Sequence, residues 1–302
     1  MNKLSECLSY IIRLNRSYCR KFTSMTTDFS DFLRNSNGRQ FFVEYVNERK
    51  KSSINRRKIQ PFGSHFGDSD IFVSTSKLDE LFTRKKCASV LILFADLPSS
   101  LQDHSQGSVE SFEPFVLLIR RAFRLRANPG EIAYPGGIIE PGETPEQSAL
   151  REAHEEIRLN ESQVEIWGSI RPIYSSRGAI VVPNVGVLRD VDHLRELCPQ
   201  PDEVQSIFMA PVKELVANVH RTNFFYKFPP EGRAVRFTLP VFLARRYRIV
   251  AQSVGHGEER APLDARLRVW GMTAMILHEA LCCVLRRSAL TVVDDASCQQ
   301  SQ

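Results

Sequence analysis

Three carboxylates carry the chemistry this sequence suggests first. Glu152, Glu155 and Glu156 fall at i, i+3 and i+4, so on a helix all three project from one face. The segment around them reads as a helix beginning near Thr144. Thr144 suits the cap, Pro145 the first helical position, and Glu146 and Gln147 the polar first turn. Three like charges on adjacent turns repel one another and destabilise an isolated helix. A bare E-x-x-E-E is most often a solvated acidic face. Its chemical alternative is a site for a hard divalent cation, because an all-oxygen donor set favours Mg²⁺ or Mn²⁺ over Zn²⁺.

The residues before the helix decide between these readings. Counting from Gly137, five residues lead to Glu143, and seven more lead to Arg151-Glu152, Ala153, His154 and Glu155-Glu156. The series resembles the Nudix box, G-x5-E-x7-R-E-U-x-E-E-x-G-U, at every charged position. Arg158 replaces the last Gly, and Ala153 stands where a larger apolar residue is usual. The resemblance implies an α/β fold, an α/β/α sandwich with a mixed sheet, in which Glu152, Glu155 and Glu156 bind Mg²⁺ or Mn²⁺. It implies that Glu143 adds to the metal site or fixes the helix through Arg151, and that a backbone carbonyl of Gly136 or Gly137 completes the loop side. Downstream, Glu203 matches the acid that acts as base or extra ligand. An acid that merely ends a loop explains Glu203 equally well. Such ions bridge diphosphate oxygens, neutralise developing charge and lower the pKa of an attacking water. An Arg at 158 held left-handed costs up to about 1 kcal/mol; alternatively Asn160 ends the helix.

A second resemblance narrows the first. Residues 117–137 read L-L-I-R-R-A-F-R-L-R-A-N-P-G-E-I-A-Y-P-G-G. This is similar to the signature of the coenzyme A diphosphatase branch, L-L-T-x-R-S-x-x-L-R-x-H-x-G-x-x-x-F-P-G-G. Ile119, Ala122, Asn128 and Tyr134 depart from it. Trp270-Gly271-Met272-Thr273-Ala274 matches that branch's W-G-x-T-A far from the box, with Trp270 expected in packing. Arg120, Arg121, Arg124 and Arg126 are the side chains offered to phosphates through bidentate contacts. The resemblance spans residues 87–288.

Composition sets the frame. The 302 residues, 42% hydrophobic, provide for one good core with extensions, and the net charge of +5 suits a phosphorylated substrate without implying nucleic acid. Seven cysteines without a C-x-x-C pair indicate neither a zinc site nor a disulfide framework. No apolar run is long enough for a membrane span. Residues 1–27 set Lys3, Arg13, Arg16, Arg20 and Lys21 against Glu6 alone, the profile of a mitochondrial transit segment. Without such a segment the location is cytoplasmic or peroxisomal, although the C-terminus is not S-K-L.

Residues 28–86 read as a separate extension. It has a strand or helical turn at 41–46, basic runs at 49–51 and 56–58, and a short amphipathic helix at 76–83. Strands are expected at 88–95, 115–120, 164–173, 179–188, 207–209 and 234–242, with a polar loop over 96–114. Helices are expected at 211–217 and from Arg268 to about 287, and 289–302 is a tail. Arg221, Phe224, Phe225, Tyr226 and Arg233 read as an aromatic core cluster or as contacts to phosphate and adenine.

The leading reading is therefore a Mg²⁺-dependent hydrolase acting on the small-molecule diphosphate of coenzyme A or an acyl-coenzyme A. The alternatives are a pyrophosphohydrolase of another nucleoside diphosphate or of the RNA 5′ end, and a nucleotide-binding subunit whose basic extension meets RNA or protein.

Overall fold

A computed structural model describes residues 29–30, 32–34, 38–52, 87–98, 111–175, 179–227, 234–253 and 266–284. The readings for 1–27, 56–58, 76–83, Arg233 and 289–302 lie outside these residues. Strand β1 (Cys87–Pro98) is the axis of the molecule. Its centre is an unbroken apolar run that is fully buried, as a strand covered on both faces requires. Alternate side chains enter different layers, with Leu91, Leu93 and Ala95 on one side and Ile92 and Phe94 on the other. Antiparallel β2 (Phe112–Arg121) lies beside it, and β7 (Ile180–Leu188) runs parallel on its other edge. Beyond β7 comes β5 (Val164–Ser169); beyond β2 come β8 (Val204–Pro211) and β11 (Arg248–Gln252). The order is β11-β8-β2-β1-β7-β5, a mixed sheet, with short β3 (Ile132–Ala133), β4 (Gly136–Ile138) and β6 (Ile173–Tyr174) added to β2, β1 and β7.

Helix α2 (Pro145–Ile157) covers one face through Ala149, Ala153 and Ile157. The other face is covered by α1 (Gly38–Ser52), α3 (Val212–Ala217) and α4 (Gly271–Val284). They contribute Phe42 and Val46, Val212 and Leu215, and Ala274, Leu277 and Leu281. Each such buried Val, Leu, Ile or Phe side chain stabilises the fold by about 1.5–3 kcal/mol. A smaller antiparallel sheet, β12-β10-β9, is built from β9 (Val219–Lys227), β10 (Ala234–Ala244) and β12 (Leu267–Val269). The α/β sandwich with a mixed sheet is thus the observed architecture. No helix among the described residues is long and apolar enough to cross a membrane.

Several local readings are corrected. Of the strand and the helical turn read at 41–46, the helical one is observed, inside the longer helix α1. Phe42 packs on Trp167 at an interplanar tilt of 50° with ring centroids 5.7 Å apart, and Phe29 meets Phe94 edge-on at 5.5 Å. Phe29, Leu33, Phe42 and Val46 therefore share the main core where a separate extension was the expectation. The sequence hides this because the partner of each aromatic lies more than sixty residues away. The run 164–173 is broken into β5 and β6. Residues 267–269 pair with β10 as a strand, so the last helix begins at Gly271, whose φ of 61° turns the chain out of the sheet. Trp270 is exposed beneath Arg268, whose guanidinium lies 5.2 Å from the ring centroid, and is not core packing. The aromatic run 224–226 lies in β9, paired residue by residue with β10.

Candidate active site

Helix α2 begins where its sequence says it should. The Thr144 hydroxyl accepts from the Gln147 amide at 3.2 Å, and the Gln147 side chain accepts from the Thr144 amide at 2.9 Å, a reciprocal cap with Pro145 at the first position. It ends at Arg158, whose φ of 60° and ψ of 23° are the left-handed conformation usually given to glycine. Asn160 takes no part in that ending; its side chain caps the next short turn, Glu161–Gln163.

The loop from β4 into α2 packs against β1 closely enough to exclude side chains. A Cβ on Gly136 would lie 2.2 Å from the Ser89 carbonyl oxygen, and one on Gly137 would lie 2.4 Å from the Glu152 carboxylate. The Gly pair therefore brings the loop backbone directly onto the acids of the helix. The Gly136 amide donates to Glu156 Oε2 at 3.0 Å. The adjacent Pro135 carbonyl is taken by the Leu91 amide at 2.9 Å.

Glu156 is almost completely buried. Its carboxyl is raised to about 8, chiefly by burial and with smaller contributions from Glu152 and Glu203, against the Gly136 hydrogen bond and the Arg121 charge. Glu152 is raised for the same leading reason, burial, with Glu155 and Glu203 adding to it and Arg151 opposing. Glu203 is thus brought to the acids from the turn before β8. The Gln200 amide donates to the Glu156 carbonyl at 2.8 Å, and the Ala122 amide to the Glu203 carbonyl at 2.8 Å, which fixes that turn between α2 and the end of β2.

Arg151 holds the other side of the group. It grips Glu143 with two nitrogens, at 2.7 and 3.1 Å, and reaches the Ile138 carbonyl at 3.0 Å. Its remaining nitrogen lies between Glu152 at 3.0 Å and Glu155 at 3.3 Å. The Arg151 hydrogen bond lowers the Glu143 carboxyl. Here Glu143 fixes the loop to the helix through Arg151. Among the described residues no group of three or more His, Cys, Asp or Glu is gathered tightly enough to hold a metal ion as it stands. The geometry gives the reason. Arg151 separates Glu152 from Glu155, and Glu156 is turned to the Gly136 amide.

The four arginines separate. Arg121 is the one whose charge is felt at Glu156. Arg120, one residue back on the strand, points to the opposite layer and lies buried with its guanidinium 5.6 Å from the Phe208 ring centroid. Arg124 is tied to the Pro201 carbonyl at 2.5 Å and to Asp202 at 2.9 Å. Arg126 is exposed in the following loop. At the departures from the coenzyme A signature, Ala122 is buried and Asn128 has a φ of 52° in a turn closed by the Glu131 amide. Nothing in spacing alone separated Arg121 from Arg120; the strand's two-residue alternation was the available signal. No described residue supports an RNA or protein partner.

Comparison with known proteins places the site in context. The NUDIX domain profile matches residues 106–228. The chain is 36% identical to Nudix hydrolase 3 of Caenorhabditis elegans over 167 residues, 55% of this chain and 65% of that protein. It is 32% identical to the human mitochondrial coenzyme A diphosphatase NUDT8 over 170 residues, 56% of this chain and 62% of that one. The mouse protein of the same name is 31% identical over 170 residues, 56% of this chain and 70% of its own length. The chain therefore spans just under two thirds of the first two relatives.

Proposed function

The chain belongs to the Nudix hydrolase family, and from that membership we propose that it is a Mg²⁺- or Mn²⁺-dependent hydrolase of coenzyme A or an acyl-coenzyme A. Water would cleave the phosphoanhydride, releasing 3′,5′-ADP and a 4′-phosphopantetheine product.

One observation carries this reading. Glu152 and Glu156 are acids raised by burial, and the charge of Glu203 is felt at both. Burying acids beside acids costs stability unless a cation compensates, and an oxygen-only donor set fits a hard divalent ion. Glu152, Glu155 and Glu156 would hold it, with the Gly136 or Gly137 backbone beside them. Once bound, such an ion supplies charge neutralisation on the diphosphate and acidifies water. Glu203 would accept the proton of the attacking water or add a ligand. Arg151 would orient Glu152 and Glu155 from its grip on Glu143, and Arg121 would meet the diphosphate. The coenzyme A substrate is supported by the signature at 117–137 and by the likeness to the two mammalian coenzyme A diphosphatases. The basic segment 1–27 and those relatives' mitochondrial names support a mitochondrial location.

A second substrate class follows from one observation. A methyl at 122 and an amide at 128 replace the hydroxyl and imidazole of the coenzyme A signature, so another nucleoside diphosphate is the competing substrate. The test is chromatographic separation of the hydrolysis products of coenzyme A, acyl-coenzyme A, NADH, ADP-ribose, diadenosine polyphosphates and triphosphorylated RNA with Mg²⁺. Coenzyme A turnover that disappears in Glu155→Gln is the expected result. Turnover confined to any other compound overturns the substrate, and no turnover anywhere overturns the enzyme.

A further inference from the structure

Beneath the first turn of α2 lies a polar cluster that the chemistry above does not use. Ser89 and Asn184 are both completely buried, on the parallel pair β1 and β7. Asn184 Nδ2 donates to Ser89 Oγ at 2.7 Å and lies 3.3 Å from the Pro145 carbonyl; Ser89 Oγ donates to that carbonyl at 2.5 Å. Asn184 Oδ1 is 2.7 Å from Ser169 Oγ on β5, and the same hydroxyl is 2.7 Å from Glu146 Oε1. The first two residues of α2 are thereby tied to three strands. Ser89 also pairs in register with Gly137, and its carbonyl presses on Gly136. One residue thus touches both ends of the loop that runs from Gly136 to Pro145.

We infer that Asn184, acting through Ser89, is a positioning residue that sets the angle of α2 and hence the place of Glu152 opposite Gly137. This rests on the reading of the site as a metal-dependent hydrolase. A buried amide and hydroxyl cost stability unless their hydrogen bonds are completed, and apolar residues would fill the same space more cheaply. These bonds converge on the start of α2. At the other end the helix is held by the Cys198 amide on the Ile157 carbonyl at 3.0 Å and the Gln200 amide on the Glu156 carbonyl. Releasing the first anchor lets the helix tilt about the second. A tilt of about 10° moves Glu152, roughly 7.5 Å from Ile157, by about 1.3 Å, while Glu156 hardly moves. Displacement on that scale costs about 10²-fold in rate.

The test uses the full chain with Asn184→Ala and Ser89→Ala. Four quantities are read: melting temperature, Mn²⁺ affinity by electron paramagnetic resonance, amide exchange across 145–157, and kcat and KM. The expected result is a Mn²⁺ Kd raised about tenfold and kcat lowered about 10²-fold with KM nearly unchanged. Exchange should be faster in the first turn of α2 and unchanged in α4. Folded variants that lose only melting temperature, with Mn²⁺ affinity and first-turn exchange as in the wild type, overturn the inference. If Asn184→Ala does not fold, Ser89→Ala carries the same test. If the wild type binds Mn²⁺ but does not cut coenzyme A, the substrate reading fails and the Mn²⁺ and exchange measurements still decide the anchor. If it binds no Mn²⁺, the metal reading fails and exchange alone decides.

Discussion

Helices α2 and α4 lie on opposite faces of the same sheet and are held by different physics. In α2 the buried set is Ser148, Ala149, Ala153, Glu156 and Ile157, one of them a carboxylate. Its ends are fixed by a side-chain cap, by the Ser89–Asn184 pair and by two backbone bonds from 198–200. In α4 nearly every residue from Ala274 to Val284 is buried, mostly aliphatic; its buried carboxylate, Glu279, lies 3.9 Å from the Arg171 guanidinium, and the Thr273 hydroxyl donates to the Ile132 carbonyl at 3.0 Å. Apolar burial is non-directional and scales with area, so α4 supplies stability and tolerates small shifts. Hydrogen bonds are directional, so α2 gives up some burial for a defined position. One sheet thus carries a face built for energy and a face built for geometry.

That contrast can be broken by substitution. The largest effect is expected from Glu155→Gln in α2. It should lower kcat/KM about 10³-fold or more, the scale of a lost metal contribution, with the denaturation midpoint unchanged. A midpoint that falls with activity would make Glu155 structural. Next, Leu277→Ala in α4 should cost about 2–5 kcal/mol in urea denaturation while kcat per folded molecule stays at the wild-type value. A parallel loss of kcat would end the division between the helices.

The pH dependence sharpens the comparison. Folding raises the Glu156 carboxyl to about 8, so the folded metal-free chain favours its protonated form. Its stabilising contribution is full below the ordinary carboxyl range and is lost as pH rises through about 8. Melting temperature in a chelator should therefore decline from about pH 5 to about pH 9, and Glu156→Gln should flatten that decline. An equal slope in the variant would show that other groups set it. The smallest effect belongs to the helix end. Arg158→Gly relieves a left-handed non-glycine residue and should raise stability by up to about 1 kcal/mol without changing kcat. Destabilisation would mean that the Arg158 side chain contributes more than its backbone costs.

The sequence by itself determined what depends on neighbours along the chain. The Thr144–Gln147 cap, Pro145 at the first position, the i, i+3, i+4 acids and the close Gly pair are all local. Each can be read because the helical repeat fixes which side chains meet. The apolar run of β1 was equally legible, since a strand buried on both faces shows an uninterrupted pattern, whereas Gln205 and Ser206 in β8 left only residues 207–209 of Val204–Pro211 readable as strand. Only the tertiary structure decided the rest. The burial of Glu156 comes from the sheet beneath it, and the approach of Glu203 from a turn more than forty residues downstream. The separation of Arg121 from Arg120 comes from strand pairing, and the docking of Phe42 on Trp167 and of Phe29 on Phe94 from contacts distant in sequence. Local pattern states which side chains share a face, but burial and electrostatic coupling depend on what the chain folds against.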